Sequence, residues 1–447
     1  MKKRKQCLAI LLMVSLPILS QEPVQWTLDK CIDYALENNI QLQQSKITMK
    51  ESEVDVKSAK ASLFPSLSFS TGHNINNRPY QENMNMISGS EVISSSNNTT
   101  YSGNYGLNAQ WTVWDGNKKL NNIKQRETAL QISSLAIDEV ANSLQEQIAQ
   151  VFVQILYANE SVKINENTLE VSKATYERGV QMFNIGSLSK ADLAQLEAQV
   201  SNDQYQLTVS KSSLNEYKLQ LKQLLELDGS EEMVLVLPEL SDEDILLPLS
   251  AQEEIYQQAL VLRPEIRSGE LSIENSKLDV KVAKAGYYPT ISISASTGSN
   301  TNSGSNQSWS RQMKSSWNNT IGVNLSIPLF DNRQNKSAVE KAKLQLSNNQ
   351  MNLINKEKEL YQTIESMWHN ANNAQQEYIA ADIKLKSSQA SYDMVSEQFN
   401  LGMKNIVELL TEKNNLLSAQ QQRIQAKYMA ILERTLLHFY AGEEISL

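Results

Sequence analysis

Groups able to run catalysis are few and scattered in this chain. Its only histidines, His73, His369 and His438, lie far apart, and its only cysteines are Cys7 and Cys31. Neither set has the spacing of a metal site, and no Gly-rich phosphate loop or nucleophile elbow is present. The sequence points away from an enzyme and implies neither a cofactor nor a metal. With 50 Asp and Glu against 41 Lys and Arg, the net charge of −9 also argues against a nucleic-acid partner. What remains is surface chemistry: uncharged polar faces on short alternating segments, and charges beside two glycines, Gly186 and Gly402, that interrupt long helical patterns.

The alternating segments have period two. From 101 to 113 the odd positions carry Tyr101, Tyr105, Leu107, Ala109, Trp111 and Val113, and the even ones Ser102, Asn104, Asn108, Gln110 and Thr112. A second segment sets Trp317, Ile321, Val323, Leu325 and Ile327 against Asn318, Thr320, Asn324 and Ser326. Shorter partners precede each, with Leu67 and Phe69 against serines, and Ile291, Ile293 and Ala295 against Thr290, Ser292 and Ser294. Alternation alone would also suit a soluble sandwich. The absence of charge on the polar face and the aromatics near the segment ends favour lipid-exposed barrel strands with a polar lumen. Leu67, Phe69, Leu107, Trp111, Ile291, Ile293, Val323 and Leu325 are thereby assigned to the lipid face. The Ser/Asn-rich stretches 72–100 and 298–316 are expected as long exposed loops. Four strands cannot close a barrel, and an open edge in lipid leaves backbone groups unsatisfied, so several chains must share one barrel of 8, 12 or 16 strands.

Everything else is helical. Residues 117–178 and 332–401 contain neither Gly nor Pro, and at about 1.5 Å per residue each spans roughly 90–105 Å. Leu193, Val200, Leu207, Leu214 and Leu221 keep a seven-residue spacing, as do Leu410, Leu417, Ile424 and Ile431, the mark of coiled-coil seams. Asp115 and Asp331 stand where they can cap the long helices. Gly186 and Gly402 each fold a long helix back as a hairpin.

The whole arrangement occurs twice. Ala35 and Pro65 return as Ala259 and Pro289, 224 residues on, and Asn108 and Gly186 return as Asn324 and Gly402, 216 residues on. The expected organisation is a leader at 1–20, a first repeat at 21–228 with a β-hairpin near 63–114 and a turn near 186, a connector at 229–248, and a second repeat at 249–447 with a β-hairpin near 287–330 and a turn near 402. The leader reads as a secretory signal: Lys2 to Lys5 are basic, 8–19 is apolar, and Ser20 is small. The apolar run is too short to span a membrane, and Cys7 precedes it, so Cys7 is not a lipid-modified cysteine at a cleavage site. Once the leader is removed, Cys31 is the only cysteine, which leaves no intrachain disulfide.

In this order of elements the chain resembles the outer-membrane efflux protein (TolC) family. The resemblance rests on the opening Ala35-Leu-Glu-Asn-Asn39, the Ala-rich helices running into Pro65 and Pro289, and Trp114-Asp-Gly116 and Phe330-Asp-Asn332 at the strand exits. At the hairpins it rests on Phe183-x-x-Gly186-x-x-Ser-x-x-Asp192 and Phe399-x-x-Gly402-x-x-Asn-x-x-Glu408. It implies a mixed α and β membrane protein, in which four strands per chain contribute to a 12-stranded barrel shared by a homotrimer and the helical hairpins form a tunnel across the periplasm. The protein would then be a passive exit duct in the outer membrane of a Gram-negative cell, in contact with outer-membrane lipid and served by a periplasmic adaptor and an inner-membrane transporter. The tip that meets the adaptor would be Ile185, Gly186, Ser187, Leu401, Gly402 and Met403. The resemblance also implies a charge network that closes the tip, with Lys404 its basic member and Asp192 its acidic partner. The network's aromatic hydroxyl falls on Phe399, which has none. The first of two acidic rings in the bore falls on Glu408; the second falls on Thr411, leaving Glu412 to substitute. The rival reading is a non-conducting, barrel-anchored stalk, structural or adhesive, which has no reason to bend at the two glycines.

Overall fold

The computed structural model describes residues 25–79, 84–88, 91–95, 99–228, 233–236, 238, 242–305 and 307–446. The expected leader and Cys7 lie outside these. A two-residue strand β1 (Gln25–Trp26) leads into helices α1 (Leu28–Asn38) and α2 (Ile40–Ala61). Between them Asn39 is extended (φ −61°, ψ 130°). Its N–H donates to Ala35 O and its Oδ1 accepts from the N–H groups of Gln41 and Leu42, so one residue ends a helix and caps the next. Strands β2 (Ser66–Asn77), β3 (Met84–Ser88), β4 (Glu91–Ser95) and β5 (Thr99–Trp114) follow, then α3 (Lys118–Asn184) and α4 (Lys190–Leu224).

The connector holds β6 (Val234–Leu235) and α5 (Asp242–Ile245). The second half runs α6 (Gln252–Leu262), α7 (Pro264–Ala285), β7 (Thr290–Asn302), α8 (Trp309–Ser315), β8 (Asn318–Ser326), α9 (Gln334–Asn400) and α10 (Ile406–Tyr440). At its first bend Pro264 opens α7, a position where its missing N–H is no loss. Both α3 and α9 have 67 residues, about 100 Å each, and α4 and α10 both have 35. Among the described residues no helix is long and apolar enough to cross a membrane.

Strands β2, β5, β7 and β8 form one antiparallel sheet in that order, leaving β2 and β8 as unpaired edges. The register places Leu67 opposite Ala109, Phe69 opposite Leu107, Trp111 and Val323 opposite Ile293, and Leu325 opposite Ile291. All eight assigned apolar residues therefore share one face, and Ser68, Asn108, Ser296 and Thr320 line the other. On this apolar face Phe69 is 67% and Val323 72% exposed, while Ile291 and Ile293 of the inner strand β7 are half-buried. The strands reach further into the Ser/Asn-rich stretches than alternation suggested. β2 runs to Asn77 and β7 to Asn302, a β3–β4 hairpin stands between β2 and β5, and α8 stands between β7 and β8. Backbone pairing does not require an apolar face, so the strands outrun the apolar alternation. Conversely, Ile327, expected in a strand, lies beyond β8, beside Pro328, which has no N–H for the ladder.

Where the strands return to helix, the backbone turns through left-handed residues: Gly116 and Asn117 after β5, Asn332 and Arg333 after β8. Asp115 and Asp331 do bond the first helical turn, by accepting the N–H of Lys119 (3.2 Å) and Asn335 (2.7 Å). They act from two residues outside the capping position, which the left-handed residue occupies.

Around the middle of the bundle, α3 contributes Ile148, Phe152, Ile155 and Leu156 to a core shared with Cys31 and Ala35 of α1, Leu221 of α4 and Ile424 of α10. Burial pushes the Cys31 thiol up to about 12, so it is a packing residue. The connector is tied back at two points. β6 pairs in parallel with β1, and α5 is clamped to the second hairpin. There the Arg423 guanidinium donates to Asp382 (2.8 Å), Asp242 (2.6 Å) and the Tyr378 hydroxyl (3.0 Å), and Lys427 reaches Asp242 (2.9 Å).

Candidate functional site at the hairpin tips

Each long helix ends in a left-handed glycine, Gly186 at φ 80° and Gly402 at φ 74°. Past each glycine the next N–H reaches back five residues, Ser187 to Met182 O and Met403 to Gln398 O, both 2.9 Å. This is the Schellman closure, which needs a residue tolerant of positive φ at that point. The first residues beyond the turns cap the returning helices. Ser189 Oγ accepts the N–H of Asp192 (3.1 Å) and donates to its Oδ2 (2.7 Å). Asn405 Oδ1 accepts the N–H of Glu408 (3.0 Å), and its Nδ2 donates to Glu408 Oε1 (2.9 Å). Both acids thus sit in the first helical turn, where the helix dipole favours negative charge.

One expectation is corrected here, for pairing within a single chain. Within one chain Lys404 does not pair with Asp192; its ammonium reaches Glu408, one helical turn on, while Asp192 is committed to Ser189. Glu408, four residues on in the same turn-to-helix segment, is reached without any contact between hairpins. Phe399, where the hydroxyl is missing, lies inside the pair of hairpins. It is 4% exposed and packs with Leu196, Ile406 and Leu409, where it joins the two hairpins. Glu412, the candidate for the second acidic ring, accepts the hydroxyl of Ser391 (2.8 Å) and ties α10 to α9.

The turn residues themselves are open. Ile185 is 80% exposed and Leu401 65%, with Met403 and Val407 similarly bare, and a Cβ placed on either glycine would meet nothing within 4 Å. The two tips therefore present four apolar side chains around two glycines, rimmed by Lys404, Glu408 and Asp192. An apolar centre with a charged rim is the composition of a contact surface. No metal-binding cluster occurs among the described residues.

Above this surface the structure brings together three residues that the sequence reading missed. Lys413 of α10 is buried against Asp203 of α4 and Ser172 of α3, bonding both, and Gln199 Nε2 donates to the second Asp203 oxygen (2.9 Å). Burial pushes the Lys413 ammonium below its ordinary value while the Asp203 carboxylate opposes that shift. The signal was present: Asp203 lies three residues past Val200, and Lys413 three past Leu410. Each is the second apolar position of a heptad seam, where a charge needs a partner.

Comparison with known proteins agrees with this geometry. The family described as "Outer membrane efflux protein" matches residues 31–226 and 255–443, two blocks either side of the connector. An outer membrane efflux protein, BepC, of Brucella suis is 22% identical over 96% of this chain and 89% of its own length. An alkaline protease secretion protein, AprF, of Pseudomonas aeruginosa is 22% identical over 66% of this chain and 62% of its own. Among solved structures, CusC, whose crystal structures concern folding and transmembrane channel formation, superposes with a TM-score of 0.79 at 18% identity, over 94% of this chain and 93% of that one. With the doubled strand–helix–hairpin unit matched along nearly its whole length, the chain belongs to the outer membrane efflux protein family.

Proposed function

We propose that three copies of this chain form an outer-membrane exit duct, each giving four strands to a 12-stranded barrel and two helical hairpins to a tunnel through the periplasm. One observation carries the reading: a four-stranded sheet with two open edges, β2 and β8, and an apolar face that leaves Phe69, Leu67, Val323 and Leu325 exposed. In lipid that sheet is viable only if each edge finds a partner, and β2 of one copy meeting β8 of the next closes the ring. Residues 1–20 direct export, 21–228 and 249–447 are the two repeat units, and 229–248 joins them. The apolar tip, Ile185, Gly186 and Ser187 with Leu401, Gly402 and Met403, is the surface for a periplasmic adaptor, through which an inner-membrane transporter supplies cargo and energy. Lys404, Asp192 and Glu408 ring the narrow end, with Lys404 facing Asp192 of an adjacent copy as an alternative to Glu408. The duct performs no chemistry of its own.

Single-channel recording in planar bilayers separates a duct from a stalk. A stable conductance from a species of trimeric mass in mild detergent supports the proposal; a non-conducting trimer, or a monodisperse monomer with full strand content, overturns it.

A further inference from the structure

The short helix α8 sits on the apolar face of the sheet, at the end remote from the long helices. Ser299 Oγ donates to Met313 O (2.8 Å), Trp309 lies edge-on to Tyr105 with ring centroids 6.4 Å apart, and Gln312 Oε1 accepts the N–H of Asn302 (2.7 Å). Tyr105 pairs with Ser299 in the ladder, two residues along from Leu107 and Thr297. Hence α8 covers the same face as Leu107, Trp111 and Ile293. Below it the face is apolar, with Phe69, Leu107, Trp111 and Ile293; at its level the face turns to Thr71, His73, Tyr101, Tyr105, Ser299 and Thr301, with Ile75 on the outer strand β2. Eight residues separate Ile291 from Ser299, about 26 Å along the strand and roughly 20 Å of height at a barrel tilt. An outer-membrane apolar band is about 25 Å tall. α8 therefore lies where hydrocarbon gives way to headgroups.

Its charges are distinctive. Between Lys284 and Asp331 the only ionisable acids and bases of the Asp/Glu/Lys/Arg type are Arg311 and Lys314, both on α8 and both exposed. Among the described residues neither side chain forms an ion pair. Exposed Trp309 and Trp317 flank them, the aromatic pairing that settles at a membrane interface. The other outer loop is different in sign, since its sequence carries Arg78 with Glu82 and Glu91. We infer that α8 is a lipid-binding strap that holds the phosphate groups of anionic outer-leaflet lipid, a phosphorylated glycolipid, with Arg311 and Lys314 while Trp309 beds in the interface. The inference rests on the lipid-facing reading of the sheet.

The test uses full-length protein in zwitterionic detergent micelles at low salt, titrated with a diphosphorylated lipid A or its dephosphorylated form, with bound lipid counted by native mass spectrometry. Each cation near such a surface is worth about a fivefold change in affinity, so Arg311→Gln with Lys314→Gln should weaken phosphorylated lipid binding roughly 30-fold per protomer. Arg311→Lys should retain most of the affinity, and the dephosphorylated lipid should bind both proteins equally weakly. Equal binding of phosphorylated lipid by the wild type and the double variant overturns the strap. A label on Leu107→Cys, read against a quencher in the lipid tails, tests the underlying reading separately; Cys31 is buried and stays unlabelled. If the label is quenched but the double variant binds normally, only the strap is wrong. Without quenching, the facing of the sheet and the strap both fail.

Discussion

Lys413→Met strips the cation from a carboxylate that is 2% exposed. Asp203 keeps its bonds from Ser172 and Gln199 but no longer has an opposite charge beside it. Breaking one side of such a buried pair costs about 3–5 kcal/mol, whereas replacing both partners with neutral groups of similar volume is often close to neutral. Methionine fills much of the lysine stem, so Lys413→Met with Asp203→Asn should recover most of the loss. Ser172, Asp203 and Lys413 come from α3, α4 and α10, so the loss falls on the docking of one hairpin against the other. At about 1.4 kcal/mol per tenfold, backbone amides around 196–207 and 406–416 should exchange on the order of 100- to 4000-fold faster in the single variant, if local opening governs exchange. Hydrogen-exchange mass spectrometry on the assembled protein reads this directly. The reasoning is refuted if the single variant exchanges within about threefold of the wild type, or if the double variant is no better protected than the single.

Gly186→Leu and Gly402→Leu force side chains onto left-handed backbone at about 1–2 kcal/mol each and project into open space; export should be lost with assembly intact, and normal drug or dye export would place the adaptor contact elsewhere. Leu107→Arg should lower outer-membrane yield, at about 2–4 kcal/mol for a cation at mid-membrane depth, while Asn108→Arg is tolerated; equal yields would reverse or abolish the facing of the sheet. Lys404→Asp sets a second carboxylate beside Glu408 and should raise basal conductance, and Glu408→Ala should reduce cation selectivity and multivalent-cation block; unchanged currents in both would remove these residues from the gate. Hydrogen bonds from Lys386 and then Arg423 hold the Asp382 carboxyl below its ordinary 3.8. The folded chain therefore binds fewer protons there than the unfolded one, so the clamp on α5 stabilises above about pH 3.8 and is lost as the pH falls through the lowered value. Exchange protection of 242–247 should fall in that acid range and not between pH 5 and 8.

Local physics made much of this protein legible in its sequence. Side chains alternate strictly along a strand, so Leu107 against Asn108 already implied a two-faced sheet, and the ladder register then placed all eight apolar residues together. The closures at Gly186 and Gly402 need positive φ, which made the turns visible as breaks in long runs without Gly or Pro. Pairing between distant segments was another matter. The charges around Gly402 suggested a partner across the hairpins for Lys404, and the structure satisfies it four residues on, at Glu408 in the first turn of α10. Among the described residues the most deeply buried ion pair joins residues 210 positions apart; the heptad spacing marks Asp203 and Lys413 each as a charge on an apolar seam, but not that they are each other's partner. Which of many similar charges is desolvated depends on how three helices pack, and only the tertiary structure decides that. The same holds for α8: its composition reads as loop, and its position against Tyr105 and Ser299 is what turns two cations into a surface.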